Sequence, residues 1–585
     1  MTQLPVIALS ASLRFAALLC ACWLLPASAQ TPHQPEAASG FVARPAVDAP
    51  TAMVVSANPH ATAAALAILR AGGSASDAAI AAVLVLNVVE PQSSGIGGGA
   101  FLLHYRADEG SLQAWDGRES APAAVDETLF LKEDGERMGF HDAAVGGRAV
   151  GAPGLLRLLA AVHAEHGRLP WAQLLQPAID LAEAGFAVSP RLHALIARDR
   201  FLYTDPAARA LFYDAAGEAL AVGARFTNPA LAAVLRAVAE EGAEVFYHGA
   251  LAADIVAAVA RAPNPGTLSL RDLADWRPLK REALCAPYRQ WTVCGMPPPS
   301  SGGGTVLAML GILQGFPLPE VATDSAFATH LFAEAGRLAF ADRDAWYADP
   351  RAMPLTPQQL LGRDYLAGRA AQIDLRRSMT RAEAGTPADS LSHVAAQHPE
   401  RAATTHISIV DAAGNAVALT ASIEDAFGSR RMVHGFLLNN QLTDFSFQPQ
   451  DAHGHHPNRA GPGKRPRSSM APTLVFAVDG SLHAVLGSPG GSAIINYVAA
   501  TLIGVLDWQL PPDVVLARPH AGSRNGPTEV EDTVAGHDLA RRLQMFGHDV
   551  VLRDLTSGLA LIVRSGQGGW TGAADPRREG VAAGY

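Results

Sequence analysis

Residues 403–424 read Ala-Thr-Thr-His-Ile-Ser-Ile-Val-Asp-Ala-Ala-Gly-Asn-Ala-Val-Ala-Leu-Thr-Ala-Ser-Ile-Glu, and much of the chain can be interpreted from this stretch. Thr405–Val410 and Ala416–Ile423 are rich in β-branched and apolar residues, and turn-forming residues at 411–415 separate them. This pattern predicts a β-hairpin. Residues 376–400 are polar and Ala-rich without apolar periodicity, which predicts an exposed linker just before the hairpin.

The rest of the chain predicts helices first and strands later. Pro59–Gly73 and Ser76–Val89 are Ala-rich, and the second is apolar on nearly every side, which is typical of a buried helix. Strand-like segments lie at 101–105, 436–439, 473–478 and 482–487, and residues 152–350 have a mainly helical pattern. We therefore expect an α/β protein in which helices cover sheets.

Composition excludes several classes of protein. The chain has 585 residues, 49% of them hydrophobic, and a formal net charge of −10. Such an apolar content excludes an intrinsically disordered chain, and the absence of a Gly period or sustained heptads excludes collagen and coiled coil. The acidic balance argues against a nucleic-acid partner, which requires a basic face.

The N-terminus has the pattern of a secretory signal peptide at residues 1–29. Arg14 is followed by an apolar run, Phe15–Leu25, and by the small-x-small site Ala27-Ser28-Ala29. The run is too short for a bilayer, which needs about 20 residues. We expect a periplasmic or secreted protein without stable membrane insertion. Of the cysteines that would remain, Cys285 and Cys294 are close enough in sequence for one disulfide, and spacing alone leaves that pairing open.

Other familiar motifs are incomplete. Gly95–Gly99 follow a predicted helix and precede a strand, which is the reverse of a dinucleotide fingerprint. Gly487-Ser488 resembles a serine-hydrolase elbow, but Pro489 has no N–H where the oxyanion hole needs one. His453, His455 and His456 could together bind a metal, although such polar loops are usually solvated. The sequence therefore predicts no metal and no cofactor.

The function of the hairpin is indicated by several other blocks of sequence, which stand in the same order along the chain as in one known family. They are Val89-Glu90-Pro91, Arg118-Glu119, Pro297–Gly303, Leu437–Ser446, Arg465–Thr473 and Gly487–Gly491. With Ala403-Thr404-Thr405-His406 they resemble the γ-glutamyltranspeptidase family from about residue 50 to the C-terminus. The resemblance implies the four-layer αββα sandwich of the N-terminal nucleophile hydrolases.

The resemblance also implies self-cleavage at the bond between Ala403 and Thr404. A precursor would give a large subunit, residues 30–403, and a small subunit, residues 404–585, that stay together as one catalytic unit. A hydroxyl needs a base to become a nucleophile, and the freed α-amino group, with a reference pKa of about 7.7–8.0, can act as that base.

Three further residues complete the implied catalytic set. Ser422 stands where the family has a second, supporting threonine. The backbone N–H groups of Gly490 and Gly491 would stabilise the oxyanion, and these glycines, like those at 95–99, are expected where the backbone approaches substrate.

Substrate recognition implied by the resemblance needs both signs of charge. Arg118, Ser468 and Ser469 would bind the α-carboxylate of a γ-glutamyl donor. Asp444 and Gln441 would bind its α-ammonium group.

Glu424 departs from the family, which has asparagine at this position. It would either help to bind the ammonium group, the interpretation we favour, or pair with Arg430 or Arg431.

The expected activity is a self-processing γ-glutamyl hydrolase and transpeptidase. Its small-molecule donors would be glutathione and other γ-glutamyl compounds, and water, amino acids or peptides would accept the γ-glutamyl group. One alternative is an acylase on the same scaffold that cleaves glutaryl or β-lactam side-chain amides. A second is a processed but inactive binding protein, which would have no need of Thr404.

Overall fold

The computed structural model describes residues 38–387, 403–451 and 454–585. Residues 35–585 form one compact unit. The predicted signal peptide, most of the predicted linker and His453 lie outside the described residues, so the structure does not test those predictions.

Seventeen α-helices and 23 strands are found among the described residues. The helices are α1 Pro59–Arg70, α2 Ala75–Val89, α3 Phe140–Ala144, α4 Leu155–His166, α5 Trp171–Ala184, α6 Pro190–Arg198, α7 Pro206–Phe212, α8 Pro229–Glu241, α9 Gly249–Ala260, α10 Leu270–Asp275, α11 Gly302–Leu313, α12 Ala326–Trp346, α13 Pro357–Leu360, α14 Arg363–Ala370, α15 Ala493–Leu506, α16 Pro512–Ala517 and α17 Val534–Gln544. Short 3-10 helices lie at Leu202–Thr204, Ala243–Phe246, Leu318–Glu320, Pro350–Ala352 and Gln441–Asp444. The strands are β1 Val47–Ala49, β2 Met53–Ser56, β3 Gly99–Arg106, β4 Ser111–Gly117, β5 Phe186–Ala187, β6 Arg225–Phe226, β7 Leu279–Glu282, β8 Leu284–Tyr288, β9 Trp291–Gly295, β10 Ala403–Val410, β11 Ala416–Glu424, β12 Met432–Val433, β13 Phe436–Leu437, β14 Gln450–Asp451, β15 Gly454–His455, β16 Thr473–Phe476, β17 Leu482–Gly487, β18 Ala521–Ser523, β19 Thr528–Glu531, β20 Val550–Arg553, β21 Ala560–Arg564, β22 Trp570–Ala574 and β23 Val581–Gly584.

Two large antiparallel sheets organise these strands. The first has the order β23-β2-β10-β11-β3-β4-β7, and the second has the order β1-β22-β21-β17-β16-β9-β8. The predicted hairpin, β10 and β11, is therefore an interior part of the first sheet, and every residue of both strands is buried. This explains why neither strand contains a charged residue before Glu424.

The two sheets pack face to face, with β10 and β11 against β17. His406 on β10 lies at this contact, where a Cβ at Gly487 would come within 2.3 Å of its ring. Its Nδ1 is hydrogen-bonded to the hydroxyl of Thr420 at 2.8 Å. Complete burial lowers the pKa of His406 to about 3, so it is a neutral interior histidine that requires glycine at position 487.

Helices cover the outer face of each sheet. Helices α1, α2 and α4 pack on the first sheet, and α11, α15 and α16 pack on the second. Helix α2 is buried at every residue, as its composition predicted, and begins with a capping box between Ser74 and Asp77. The predicted αββα sandwich is confirmed.

One part of the secondary-structure prediction is wrong. Residues 279–295, within the region expected to be mostly helical, form strands β7, β8 and β9. Pro287 lies inside β8, and this is tolerated because β8 is the edge strand of its sheet. Cys285 and Cys294 occupy paired positions on β8 and β9 and form the disulfide that spacing left open.

Among the described residues, one segment, Ala243–Ala260, has the length and apolar composition of a membrane span. It is not one continuous α-helix, because its first residues form the 3-10 helix Ala243–Phe246 and only Gly249–Ala260 is α-helical. The α-helical part, Gly249–Ala260, has 12 residues and extends about 18 Å. This is shorter than the roughly 30 Å of a bilayer core.

Candidate active site

Thr404 is the second residue of β10 and lies opposite Ser422 of β11, with a shift in register between Ala403 and Thr404. The Thr404 hydroxyl donates to Ser422 Oγ at 3.3 Å, and Ser422 Oγ donates to the carbonyl oxygen of Ala403 at 2.7 Å. The backbone N–H of Glu424 donates to the same Ser422 oxygen at 2.9 Å. The hairpin thus holds one serine hydroxyl against both sides of the Ala403–Thr404 bond.

A small cavity opens beside this bond. It is lined by Arg118, Thr404, Ser422, Glu424, Gln441, Asp444, Ser468, Ser469, Met470, Gly491 and Ile494. The structure therefore brings together nine of the residues that the sequence nominated, from five separate stretches of chain. Gly490 does not line the cavity, but it directly precedes Gly491, which does. The glycines at 95–99 do not line it either; a Cβ at Gly98 would meet the carbonyl oxygen of Ser422 at 2.3 Å, so they approach protein backbone rather than substrate.

Gly490 and Gly491 connect β17 to α15 at the N-terminal end of that helix. Their φ angles are 134° and 56°, in the region that favours glycine. A Cβ at Gly490 would also lie 2.6 Å from the ring of Tyr497. Unpaired backbone N–H groups at a helix N-terminus attract negative charge, so this turn is suited to stabilising an anion.

A positive and a negative side chain, Arg118 and Asp444, line the cavity next to each other. Arg118 Nη2 donates to Asp444 Oδ2 in a buried ion pair, and the same guanidinium nitrogen donates to the carbonyl oxygen of Arg467 at 2.9 Å. Gln441 Nε2 donates to Asp444 Oδ2 at 2.8 Å. The cavity therefore presents one cation and one anion that neutralise each other when no substrate is bound.

Glu424 adds a second carboxyl to the lining of the cavity. Asn440 Nδ2 donates to its Oε2, while its buried Oε1 has no hydrogen-bond partner among the described residues. Burial raises the pKa of Glu424 well above its usual value, and the nearby charges of Asp444 and Asp425 raise it further. Both effects favour the neutral form of this carboxyl.

The alternative partners of Glu424 are engaged elsewhere. Arg430 forms ion pairs with Asp199 and Asp425, both at 2.8 Å. Arg431 donates to the backbone carbonyl of Arg261 at 2.8 Å. The interpretation in which Glu424 pairs with either arginine is therefore wrong for the described residues, because Glu424 faces the cavity instead.

Ser468 and Ser469 are held by residues that sequence analysis did not assign to the site. Arg343 of α12 donates to Ser469 Oγ at 2.6 Å and to Ser301 Oγ at 2.8 Å. Ser301 in turn donates to the carbonyl oxygen of Ser468 at 2.7 Å. The Pro297–Gly303 block therefore supports the serine pair, whereas nothing local in the sequence distinguishes Arg343 from other helical arginines.

Glu119 is a second residue without an assigned role. Its side chain is fully buried, and neither carboxyl oxygen has a hydrogen-bond partner among the described residues. Burial raises its pKa to about 8, against the opposing effect of Arg118. The folded protein therefore binds a proton at Glu119 over a pH range in which the unfolded chain does not.

Glu119→Gln is expected to remove a pH dependence of stability. Between about pH 4.5 and 8 the folded state binds more protons than the unfolded state, so stability falls as pH rises. The neutral amide should raise the free energy of unfolding near pH 8 by about 1–3 kcal/mol and leave it nearly unchanged near pH 4.5. Thermal unfolding at both pH values tests this, with the exposed Glu133→Gln as control. An unchanged slope in Glu119→Gln would contradict the assignment.

The histidine cluster near residue 455 is separate from the cavity. His455 is exposed and lies 3.6 Å from a carboxyl oxygen of Glu127, and the buried His456 lies 3.9 Å from Asp451. Within the described part of the chain, the group with metal-like spacing is His330, Glu334 and His548. His330 Nδ1 and His548 Nε2 are hydrogen-bonded to each other at 2.8 Å, so these nitrogens are already engaged.

The stacked antiparallel sheets, with a threonine at the start of an inner strand and a charged cavity beside it, define an N-terminal nucleophile hydrolase fold. The family model described as Gamma-glutamyltranspeptidase matches residues 61–585. The chain belongs to the γ-glutamyltranspeptidase family.

Relatives with two kinds of name support this membership. The chain is 33% identical to the glutathione hydrolase proenzyme of Escherichia coli (strain K12), covering 92% of this chain and 93% of that one. It is also 33% identical to the Acylase ACY 1 proenzyme of Pseudomonas sp. (strain SE83), covering 90% and 92%. The crystal structure of cephalosporin acylase from Bacillus halodurans matches with a TM-score of 0.81 at 28% identity, covering 96% and 99%.

Proposed function

We propose that this enzyme cuts itself before Thr404 and then hydrolyses or transfers γ-glutamyl groups, including that of glutathione. The observation that carries the proposal is the cavity that places Thr404 beside Arg118 and the carboxyls of Asp444 and Glu424. A γ-glutamyl donor carries an α-carboxylate and an α-ammonium group on one carbon. It can therefore exchange the internal ion pair of Arg118 for two intermolecular ones.

In the proposed maturation, Thr404 Oγ attacks the carbonyl carbon of Ala403. The C–N bond breaks, the amide nitrogen gains a proton and becomes the free α-amino group, and an ester joins Ala403 to the Thr404 hydroxyl. Water then hydrolyses the ester. Ser422, which donates to the Ala403 oxygen at 2.7 Å, is suited to stabilise the negative charge that develops there.

In the proposed turnover, the α-amino group of Thr404 accepts the proton of its own hydroxyl, which attacks the γ-carbonyl carbon of the donor. The N–H groups of Gly490 and Gly491 stabilise the oxyanion. The leaving amine receives the proton, and a γ-glutamyl ester on Thr404 remains. Water or the amine of an amino acid or peptide then releases the γ-glutamyl group.

The charged wall orients the donor in this proposal. The α-carboxylate binds Arg118 with the hydroxyls of Ser468 and Ser469, and the α-ammonium binds Asp444, Gln441 and Glu424. Approach of the ammonium lowers the pKa of Glu424, because an adjacent positive charge favours the ionised form. Binding would thus favour the ionised form of this carboxyl.

The second candidate is an acylase of other amides, because the Pseudomonas relative and the Bacillus halodurans structure carry acylase names. A glutaryl group has the carboxylate of the γ-glutamyl group but lacks its ammonium. Asp444 favours the γ-glutamyl donor, since a glutaryl carboxylate would occupy Arg118 without bringing a positive charge to Asp444 in exchange.

A denaturing gel and two chromogenic anilides test the proposal. We expect two fragments, one beginning at Thr404 by mass spectrometry, and faster release from γ-glutamyl anilide than from glutaryl anilide. A persistent single chain would remove Thr404 from its proposed role. Two fragments that release product only from the glutaryl compound would establish the acylase instead.

Export of the enzyme is part of the proposal. The Cys285–Cys294 disulfide suits an oxidising compartment, in agreement with the predicted signal peptide at residues 1–29. We therefore place the processed pair, residues 30–403 and 404–585, in the periplasm or outside the cell.

Ser422→Ala is expected to slow self-cleavage about 100-fold, because one hydrogen-bond donor to the developing oxyanion is lost. Ser422→Thr keeps a hydroxyl and should cleave at nearly the normal rate. The fraction of uncut chain on denaturing gels over time measures the effect, and Ser481→Ala, in an exposed turn, serves as control. Normal cleavage by Ser422→Ala would show that this hydroxyl does not take part.

A further inference from the structure

A second, larger pocket lies between α12, α15, α16 and α17 and shares no lining residue with the catalytic cavity. We call it the α15 pocket. Its apolar walls include the buried side chains of Phe332, Ile503 and Val515, together with Ala500 and Leu539.

One cation in this pocket lacks a carboxylate partner. Arg518 is half-buried, its guanidinium lies 5.0 Å from the ring centroid of Trp508, and it donates to the carbonyl oxygen of Thr323. It forms no ion pair with any residue in the described part of the chain. Burial lowers the pKa of Arg518, with Asp324 partly opposing the effect, so the protein bears the cost of desolvating this charge.

The other charged groups around the pocket do not cancel Arg518. Arg542, at the pocket edge, pairs with Asp538 at 2.9 Å. The buried His520 is neutral, because burial lowers its pKa well below its usual value. Of the acidic residues, Asp324 lines the pocket without forming an ion pair with Arg518. With Arg542 neutralised by Asp538, the charges that remain at the pocket are the guanidinium of Arg518 and the separate carboxylate of Asp324.

We propose that the α15 pocket binds a small amphipathic carboxylate, with its carboxylate at Arg518 and its apolar chain between Phe332, Ile503 and Val515. A carboxylate can accept two hydrogen bonds from one guanidinium, and the apolar walls gain from excluding water. The site is thus complementary to both ends of a medium-chain aliphatic acid, and it is separate from the site that cleaves amides.

Calorimetric titration of the full-length purified protein with octanoate tests the proposal. We expect saturable binding of octanoate at one site and at least about tenfold weaker binding of octanol and octylamine, because neither can pair with a cation. Arg518→Gln should weaken octanoate binding by a similar factor. Arg541→Gln removes a neighbouring surface arginine that does not line the pocket and should leave binding unchanged.

A second variant keeps the test decisive if Arg518→Gln folds poorly. Ala500→Leu adds apolar volume inside the pocket without changing its charge, and we expect it to reduce octanoate binding while thermal unfolding stays cooperative. Equal affinity for octanoate and octanol, full binding by either pocket variant, or no saturable binding would overturn the proposal.

Discussion

Thr404→Ala is expected to yield one uncut chain without measurable γ-glutamyl hydrolase activity. The variant lacks the oxygen proposed to attack the Ala403 carbonyl and, because the bond would stay intact, it would also lack the α-amino base. Loss of a nucleophile and its base removes at least about a thousandfold in kcat. Gel electrophoresis and the γ-glutamyl anilide assay measure the two effects separately.

Thr404→Ser is the matched control, since it keeps a hydroxyl in the same strand position. It should cleave and turn over more slowly, because serine lacks the methyl group that restricts the side-chain rotamer in β10. Thr405→Ser changes the adjacent buried threonine, whose hydroxyl donates to Glu90 at 3.2 Å, and should still process. Efficient cleavage of Thr404→Ala before residue 404 would refute the assignment of the nucleophile.

Arg118→Gln is expected to reduce kcat/KM for γ-glutamyl anilide by about 100- to 1000-fold, mainly through KM. The variant loses the charged hydrogen bonds to the donor carboxylate and leaves Asp444 buried without its partner. The value of kcat/KM for glutaryl anilide should fall by a comparable factor, because the carboxylate of this compound would bind the same guanidinium. Steady-state kinetics with both anilides on fully cleaved protein provide the measurement.

Asp444→Asn separates the two charges of the donor. It should lower kcat/KM strongly for γ-glutamyl anilide and little for glutaryl anilide, since only the first compound carries an ammonium group. Arg277→Gln, an exposed arginine away from the catalytic cavity, should change neither. If Arg118→Gln affected the γ-glutamyl compound alone, Arg118 would not be the carboxylate-binding residue.

The hairpin could be predicted from local signals, whereas the other residues of the candidate site were nominated by the resemblance to the family. The hairpin at 403–424 has strand composition and turn residues. The glycine pair at 490–491 is required by backbone conformation and by the approach of Tyr497. Such requirements act within a few residues, so they are visible in the order of the chain.

The rest depends on contacts between distant parts of the chain. Arg343 lies on α12 and donates to Ser469, which is 126 positions away in sequence. No residue next to either of them indicates that contact. Glu119 was visible within a block yet gave no sign that its carboxyl would be buried without a partner. Strands β7, β8 and β9 were missed because they are short and lie within a long region whose overall pattern is helical.

The strand order of the first sheet determines whether the cleaved protein could refold after denaturation. If the bond before Thr404 is cut, β2, β3, β4 and β7 belong to one chain and β10, β11 and β23 to the other, interleaved within a single hydrogen-bonded sheet. The two chains would then never have folded apart. Reassembly after denaturation would need two separate chains to find each other and insert strands among strands. Maturation would therefore be one-way, and the persistence of the mature enzyme would depend on how slowly it unfolds rather than on how readily it refolds.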